Sequence, residues 1–222
     1  MRNVPYKEAV GWLTYLAQGT RPDILLAVNK VSQFSGNPGR RHWEATKRIM
    51  RYLKGTIDHR LEYNRAGDPQ FTGYTDADWG GDPTNRKSTT GYIFSTMGGA
   101  VSWNVKRQPS VALSSCEAEF VALSRTTQEA LWWKQLLQEI EGQRTIPIFC
   151  DNQSAICIAQ NEGFNPKTKH VSIRYHFVKD SLERGDVALH YIPTQQQPAD
   201  GFTKVLPKQK HEAFRRYLGL VN

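Results

Sequence analysis

The hydrophobic period of this chain changes near residue 60, and that change restricts the folds open to it. Before it, apolar residues recur at helical spacing; after it, they alternate along short strands separated by helices. Val10, Leu13 and Ala17 mark a helix over residues 6–18, stopped by Gly19. Pro22 suits the first turn of a second helix, which carries Ile24, Leu25, Val28, Val31 and Phe34. A third runs over residues 40–54, with Gly55 as its stop. Downstream, residues 71–75 read as a strand, and 91–96 and 100–105 as a hairpin around Met97-Gly98-Gly99. A long helix is expected over residues 115–141 and a strand over 145–150. Helices follow at 152–161 and 171–184, then a strand at 187–193. Pro198 opens a helix that ends before Pro207, and a terminal helix covers residues 208–218. Three meandering strands followed by two joined through helices predict an α/β fold. Its five-stranded mixed sheet has the order 3-2-1-4-5, counted from Phe71, with helices on its faces and a small all-helical segment before it. The division falls into residues 1–66 and 67–222.

Charge follows the same division. The 222 residues carry a formal +8, but residues 1–66 hold 12 Lys and Arg against 5 acids, and the rest hold 17 against 16. A basic helical segment suits a polyanion, with a solvated helix face as the plain alternative. The third helix concentrates this charge in Arg40, Arg41, Lys47, Arg48, Arg51 and Lys54. No apolar run is long enough for a bilayer, and the first residues lack an apolar leader, so neither membrane nor secretion is expected. Cys116, Cys150 and Cys157 are odd in number and lack paired spacing, which fits reduced thiols.

Four carboxylates sit at element ends. Asp76 closes the first strand and Asp151 the fourth, and the predicted order makes those strands neighbours. Glu119 lies in the first turns of the long helix, and Asp200 in the first turn of the penultimate one, where the helix dipole favours an anion. Glu117 and Glu119 cannot share a helix face. Ser114-Ser-Cys-Glu117 has capping-box spacing, which commits Glu117 to the helix start. Glu119 stacks with Ala122, Leu123, Thr126, Ala130, Trp133 and Leu137, so it points to the sheet and needs a partner there. Asp78 shares the side of Asp76 only if the strand continues past it, and Trp79-Gly80-Gly81 argues for a turn. Clustered carboxylates repel unless cations neutralise them, and all-oxygen ligands suit magnesium or manganese. Four unrelated surface acids are the alternative.

Ordered strings across the chain carry a family resemblance. They include Tyr74-Thr-Asp-Ala-Asp-Trp-Gly-Gly81, Arg86-Lys-Ser-Thr-Thr-Gly-Tyr92, Ser114-Ser-Cys-Glu-Ala-Glu119, Cys150-Asp-Asn-Gln-Ser154, Lys167-Thr-Lys-His-Val171 and Pro198-Ala-Asp-Gly-Phe-Thr-Lys204. Residues 71–222 resemble the ribonuclease H domain of copia-type LTR retrotransposon polyproteins. Residues 5–56, with Tyr6-Lys-Glu-Ala-Val-Gly-Trp-Leu13 and His42-Trp-Glu-Ala-Thr-Lys-Arg-Ile49, resemble the end of the reverse transcriptase just upstream. The resemblance implies Asp76, Glu119, Asp151 and Asp200 as catalytic and metal-binding acids. It also implies two magnesium ions, with manganese as a substitute, and Asp76 shared between them. The implied reaction is hydrolysis of the RNA strand of an RNA–DNA hybrid, with no small-molecule cofactor. It implies the rest of the Pol polyprotein as a partner. The expected location is the cytoplasm, including virus-like particles, or the nucleus. Ser114, Ser115, Cys116 and Gln153 match positions that meet the hybrid; Arg86 and Lys87 could hold phosphates, and Arg48 and Arg51 extend a basic platform.

Three departures stand out. The loop Pro193-Thr-Gln-Gln-Gln-Pro198 lacks the histidine many relatives carry before the last acid, and His190 in the preceding strand reads as packing. Ser172 stands where an acid is usual. Gly201 replaces a larger apolar residue and is expected to loosen the turn carrying Asp200, because glycine costs about 1 kcal/mol in a helix interior. A non-catalytic hybrid-binding module would fit a broken tetrad, and all four acids are present. An integrase-like reading needs a late Glu on a helix, where Asp186 instead precedes a strand.

Overall fold

A computed structural model describes the chain except residues 2, 143 and 162–168. The string at Lys167 therefore begins outside the described residues. The helical segment consists of α1 (Tyr6–Gly19), a 3₁₀ turn at Pro22–Ile24 leading into α2 (Leu25–Ser32), and α3 (Arg40–Lys54). Tyr6, Val10, Leu13 and Ala17 form the buried stripe of α1, the i, i+4, i+7 pattern of an amphipathic helix. Beneath it lies a buried polar knot. Arg21 pairs with Asp23 at 2.8 Å, and Tyr52 donates to the same carboxylate at 2.6 Å, fixing α3 to the turn before α2.

The remaining elements are β1 (Arg60–Leu61), β2 (Thr72–Asp78), β3 (Thr89–Thr96), β4 (Gly99–Arg107), α4 (Ser115–Glu141), β5 (Ile146–Cys150), α5 (Gln153–Gln160), α6 (Lys169–Glu183), β6 (Val187–Tyr191), α7 (Asp200–Thr203), α8 (Lys208–Tyr217) and β7 (Leu220–Val221). The main sheet runs β4-β3-β2-β5-β6, the expected order, with β2 parallel to β5 and antiparallel to β3. This is the ribonuclease H-like α/β fold.

Consecutive residues of β3 show how the sheet is covered. Ile93 and Phe94 are both fully buried, on opposite faces. Ile93 joins an apolar cluster with α1, α2, α7 and α8; Phe94 joins one with α4, α5 and α6. The first cluster takes residues from both 1–66 and 67–222. Trp103 on β4 donates its indole N–H to the carbonyl of Ala17 at 2.9 Å, and Asn29 donates to that of Val105 at 3.1 Å. The segment between the two parts is also held: Asn64 N–H donates to Met97 O, and Met97 N–H to Asp68 O.

Three elements differ from expectation. β2 continues to Asp78, because Ala77 and Asp78 still pair with Thr90 and Thr89 and the chain turns only at Gly80, φ +61°. The helix after Pro198 is a single four-residue turn, α7. The last residues form β7, which pairs antiparallel with β1. Among the described residues, no helix is long and apolar enough to cross a membrane.

Candidate active site

Sheet register places the first two acids. The parallel β2–β5 pairing ends at Thr75 opposite Cys150, so Asp76 and Asp151 are the next residues on adjacent strands. The third acid comes from α4, which lies against β2. Ser114 caps this helix, accepting from Glu117 N–H at 3.1 Å. Glu117 reaches back to accept from Leu113 N–H at 2.7 Å, one residue before the cap rather than from Ser114 itself. Glu119 on the inner face is 6% exposed.

Asp200 arrives by close packing. Opposite Asp76 on β3 stands Gly91, and a Cβ there would fall 2.7–2.8 Å from Phe202 and Thr203. A Cβ on Gly201 would fall 2.5 Å from the ring of Phe214. The two glycines let α7 lie between β3 and α8, with Asp200 turned to the site. Carboxylate oxygens of Asp76, Asp151 and Asp200 lie within 4.8 Å of one another, as do ligand atoms of Glu119, Cys150 and Asp151. Asp151 is common to both groups.

Burial dominates the electrostatics. Glu119 is pushed up to about 9, first by burial and then by Asp76 and Asp151. One of its oxygens is buried with no hydrogen-bond partner. Asp76, wholly buried, is pushed up to about 6 by burial, although Lys204 and Thr203 pull it down. Thr203 Oγ1 donates to Asp76. Lys204 Nζ lies 3.2 Å from Asp76 and 2.7 Å from Asp200. Its pKa is raised, since these carboxylates outweigh its own burial. The acid set would hold a hard divalent cation: the donors are carboxylate oxygens, and one Glu119 oxygen is buried with no hydrogen-bond partner. Cys150 is a poor ligand for such an ion, because burial keeps its thiol protonated and its sulfur accepts from Asn152 N–H at 3.4 Å.

Asp78 shares the strand of Asp76 but is tied elsewhere, accepting from Thr89 N–H. Ser114 and Ser115 are exposed beside the site, Cys116 is half-buried, and Gln153 is exposed in the first turn of α5. Arg86 and Lys87 lie on the β2–β3 loop, Arg86 at φ +57°. Arg48 and Arg51 lie on the exposed side of α3, which packs on α1 and α2; it is α2 that touches α7. Besides Thr203 and Lys204, two further residues escaped the sequence reading. Lys30 on α2 is close enough to lower the pKa of Asp78, a group that burial raises. Thr194, in the loop without histidine, donates to Asp151 at 2.7 Å. Only the tertiary fold brings Lys30 near Asp78 and Thr194 to Asp151. His190 stacks on Phe149, a packing role.

No protein-family model matches the chain. Over 221 residues, 99% of its length, it is 45% identical to the retrovirus-related Pol polyprotein from transposon TNT 1-94 of Nicotiana tabacum. A second such polyprotein, from transposon RE2 of Arabidopsis thaliana, is 38% identical over 97% of the chain. The chain belongs to the Pol polyproteins of copia-type retrotransposons. It spans 17% and 15% of those two relatives, so it corresponds to about a sixth of a Pol polyprotein. This Pol-related chain is also 53% identical over 132 residues to secreted RxLR effector protein 161 of Plasmopara viticola, covering 60% of this chain and 93% of that one. Among solved structures, the foamy viral protease-reverse transcriptase dRH in complex with double-stranded DNA aligns with 93% of this chain and 34% of its own, at 11% identity and a TM-score of 0.50. The LC11-RNase H1 from compost covers 61% of this chain and 93% of its own, at 16% identity and a TM-score of 0.47. Such identities speak to fold alone.

Proposed function

We propose that the chain hydrolyses the RNA strand of RNA–DNA hybrids during reverse transcription, using Asp76, Glu119, Asp151 and Asp200 to hold two magnesium ions, for which manganese can substitute. The observation that carries this reading is two overlapping donor groups, Asp76–Asp151–Asp200 and Glu119–Cys150–Asp151, joined through Asp151, with one Glu119 oxygen buried and unpaired. Bound divalent cations would supply Lewis acidity and a water acidified enough to attack a phosphodiester. The chain's residues do the rest. Asp151 belongs to both ligand groups, and Thr194 holds one of its oxygens in place. Lys204 neutralises Asp76 and Asp200, and would be displaced toward the substrate's anionic backbone as the acids take up cations. Ser114, Ser115, Cys116 and Gln153 would contact the hybrid, where a polar group near a 2′-hydroxyl distinguishes RNA from DNA. Arg86, Lys87, Arg48 and Arg51 would add phosphate contacts without sequence preference.

Residues 1–66 and 67–222 correspond in this reading to the end of the reverse transcriptase and the ribonuclease H unit. The remainder of Pol is the protein partner, in the cytoplasm, in virus-like particles, or in the nucleus. The test is incubation of the purified chain with a labelled RNA–DNA hybrid and magnesium, beside Asp76→Asn and Asp151→Asn. Cleavage of the RNA strand by wild type, lost in both variants, is expected. Binding without cleavage would mark a non-catalytic hybrid-binding module instead.

A further inference from the structure

A thiol lies among the acids, although magnesium has little use for sulfur. Cys150 closes β5, fully buried, and Asp151 follows it directly. Cys150 Sγ, a Glu119 oxygen and an Asp151 oxygen lie within 4.8 Å of one another. Glu119 is itself 6% exposed, and its Oε2 is buried with no hydrogen-bond partner. The Cys150 sulfur accepts from Asn152 N–H at 3.4 Å, a bond that supports a thiolate as well as a thiol. Asp151 is held in turn by Thr194, which donates to its Oδ2 at 2.7 Å. One sulfur and two carboxylates therefore converge from α4 and the end of β5, with an unsatisfied oxygen among them.

This donor set differs in kind from the neighbouring Asp76, Asp151 and Asp200, which offer oxygen alone. A thiophilic ion suits the mixed set. Zinc takes thiolate sulfur at about 2.3 Å and carboxylate oxygen at about 2.0–2.2 Å, often with three protein ligands and a water in the fourth position. Donors at those lengths stand roughly 3–4 Å apart in a tetrahedron, a spacing that small side-chain rotations would reach from the present one. We propose that Glu119, Cys150 and Asp151 form a site for one thiophilic divalent ion, zinc or its analogue cadmium, and that this ion inhibits the chain by occupying acids that magnesium needs. As it binds, the Cys150 S–H bond breaks, a metal–sulfur bond forms, and the proton passes to solvent. Glu119 and Asp151 are then withheld from magnesium. The metal site stands on the donor geometry; the inhibition rests on the ribonuclease reading.

The sequence has three cysteines, so Cys116→Ser combined with Cys157→Ser leaves Cys150 as the sole thiol. Cadmium added to that double variant, without magnesium, should raise a sulfur-to-metal charge-transfer band in the ultraviolet that saturates at one ion per chain. Adding Cys150→Ser should abolish the band, and adding Glu119→Gln should weaken cadmium binding by at least about 10- to 100-fold, the loss typical of removing even an outer partner of a metal site. Excess magnesium should diminish the band, because the two ions share Glu119 and Asp151. In wild type, zinc at fixed magnesium should slow hybrid cleavage. Cys150→Ser should raise the inhibition constant about 10- to 100-fold, each protein being compared with its own zinc-free rate. No band in the double variant, or a band that magnesium and Glu119→Gln leave unchanged, would overturn the site. The first of these outcomes needs no substitution of the buried Cys150, so it decides the matter even where Cys150→Ser does not fold. Zinc that inhibits wild type and Cys150→Ser equally would overturn the inhibitory role. A band that competes with magnesium, in a chain that cuts no hybrid, would support the metal site and sink the ribonuclease reading alone.

Discussion

Phe214 occupies the space that a side chain on residue 201 would need. All three of the closest ring atoms would lie 2.5–2.6 Å from a Cβ at Gly201, well inside contact distance. The glycine does not loosen the turn that carries Asp200, as its helix propensity suggested. The turn is four residues long, has no interior for that penalty to act on, and is held between β3 and the Phe214 ring.

Gly201→Ile should therefore destabilise the protein by about 1–3 kcal/mol, the usual cost of overpacking a core. Gly201→Ile with Phe214→Ala should recover part of the loss, since the second change vacates the space. Urea denaturation of wild type, Gly201→Ile and the double variant measures this. A Gly201→Ile protein as stable as wild type would contradict the packing argument.

The raised acids make stability depend on pH in a specific direction. In the absence of divalent ions the folded chain retains protons on Glu119, up to about pH 9, and on Asp76, up to about pH 6, where the unfolded chain has released them. The unfolded state then binds fewer protons, so stability falls as pH rises from about 4.5 toward 9. Melting curves in chelator should show this decline for wild type and a flatter profile for Glu119→Gln. Added magnesium should raise the wild-type melting temperature most at the alkaline end, and a flat wild-type profile would refute the assignment.

Lys204→Met tests the built-in cation. Without the ammonium, Asp76 and Asp200 lose the positive charge that pairs with them, and the ion-free protein should lose about 1–2 kcal/mol at neutral pH. The side chain is 40% exposed, so the effect stays below that of a fully buried pair. The stabilisation given by magnesium should grow in the variant, since no ammonium competes with it. Calorimetric magnesium titration against wild type measures the difference, and an unchanged magnesium affinity would remove Lys204 from this role.

Basic residues should rank by their distance from the acids. Lys30→Ala should weaken hybrid binding about 3- to 10-fold and reduce its salt slope by about one, the signature of a lost phosphate contact. Charge reversal of Arg48 and Arg51, on the outer side of α3, should also weaken binding, but by less per charge. Affinity measured across a salt series distinguishes the two, and equal effects would place α3 as close to the duplex as α2.

The strand order and the convergence of the acids were legible in the sequence because both follow local rules. Alternation marked β2, β3 and β4, capping separated Glu117 from Glu119, and strand ends placed Asp76 beside Asp151. What escaped depends on contacts between distant segments. Lys30 sits in a helix whose charge reads as ordinary surface until α2 is seen against α7. Thr194 reads as loop until that loop meets Asp151. Gly201 carries a propensity penalty in isolation and a steric requirement in place. The two-residue strand β7 is too short for any periodic signal, and its partner β1, within a short strand expected at residues 60–63, lies far upstream in the sequence.

That last pairing bears on how such a chain can be matured. Leu61 faces Leu220 across the small ladder, and behind it α1, α2 and α8 roof the same apolar floor as Ile93 and Val105. A protease that severed the backbone near residue 66 would not free a finished C-terminal unit. The two products would stay clasped through the ladder and the floor, or part and expose both to aggregation. The folded molecule thus argues against proteolytic separation of residues 1–66 from 67–222 at that junction.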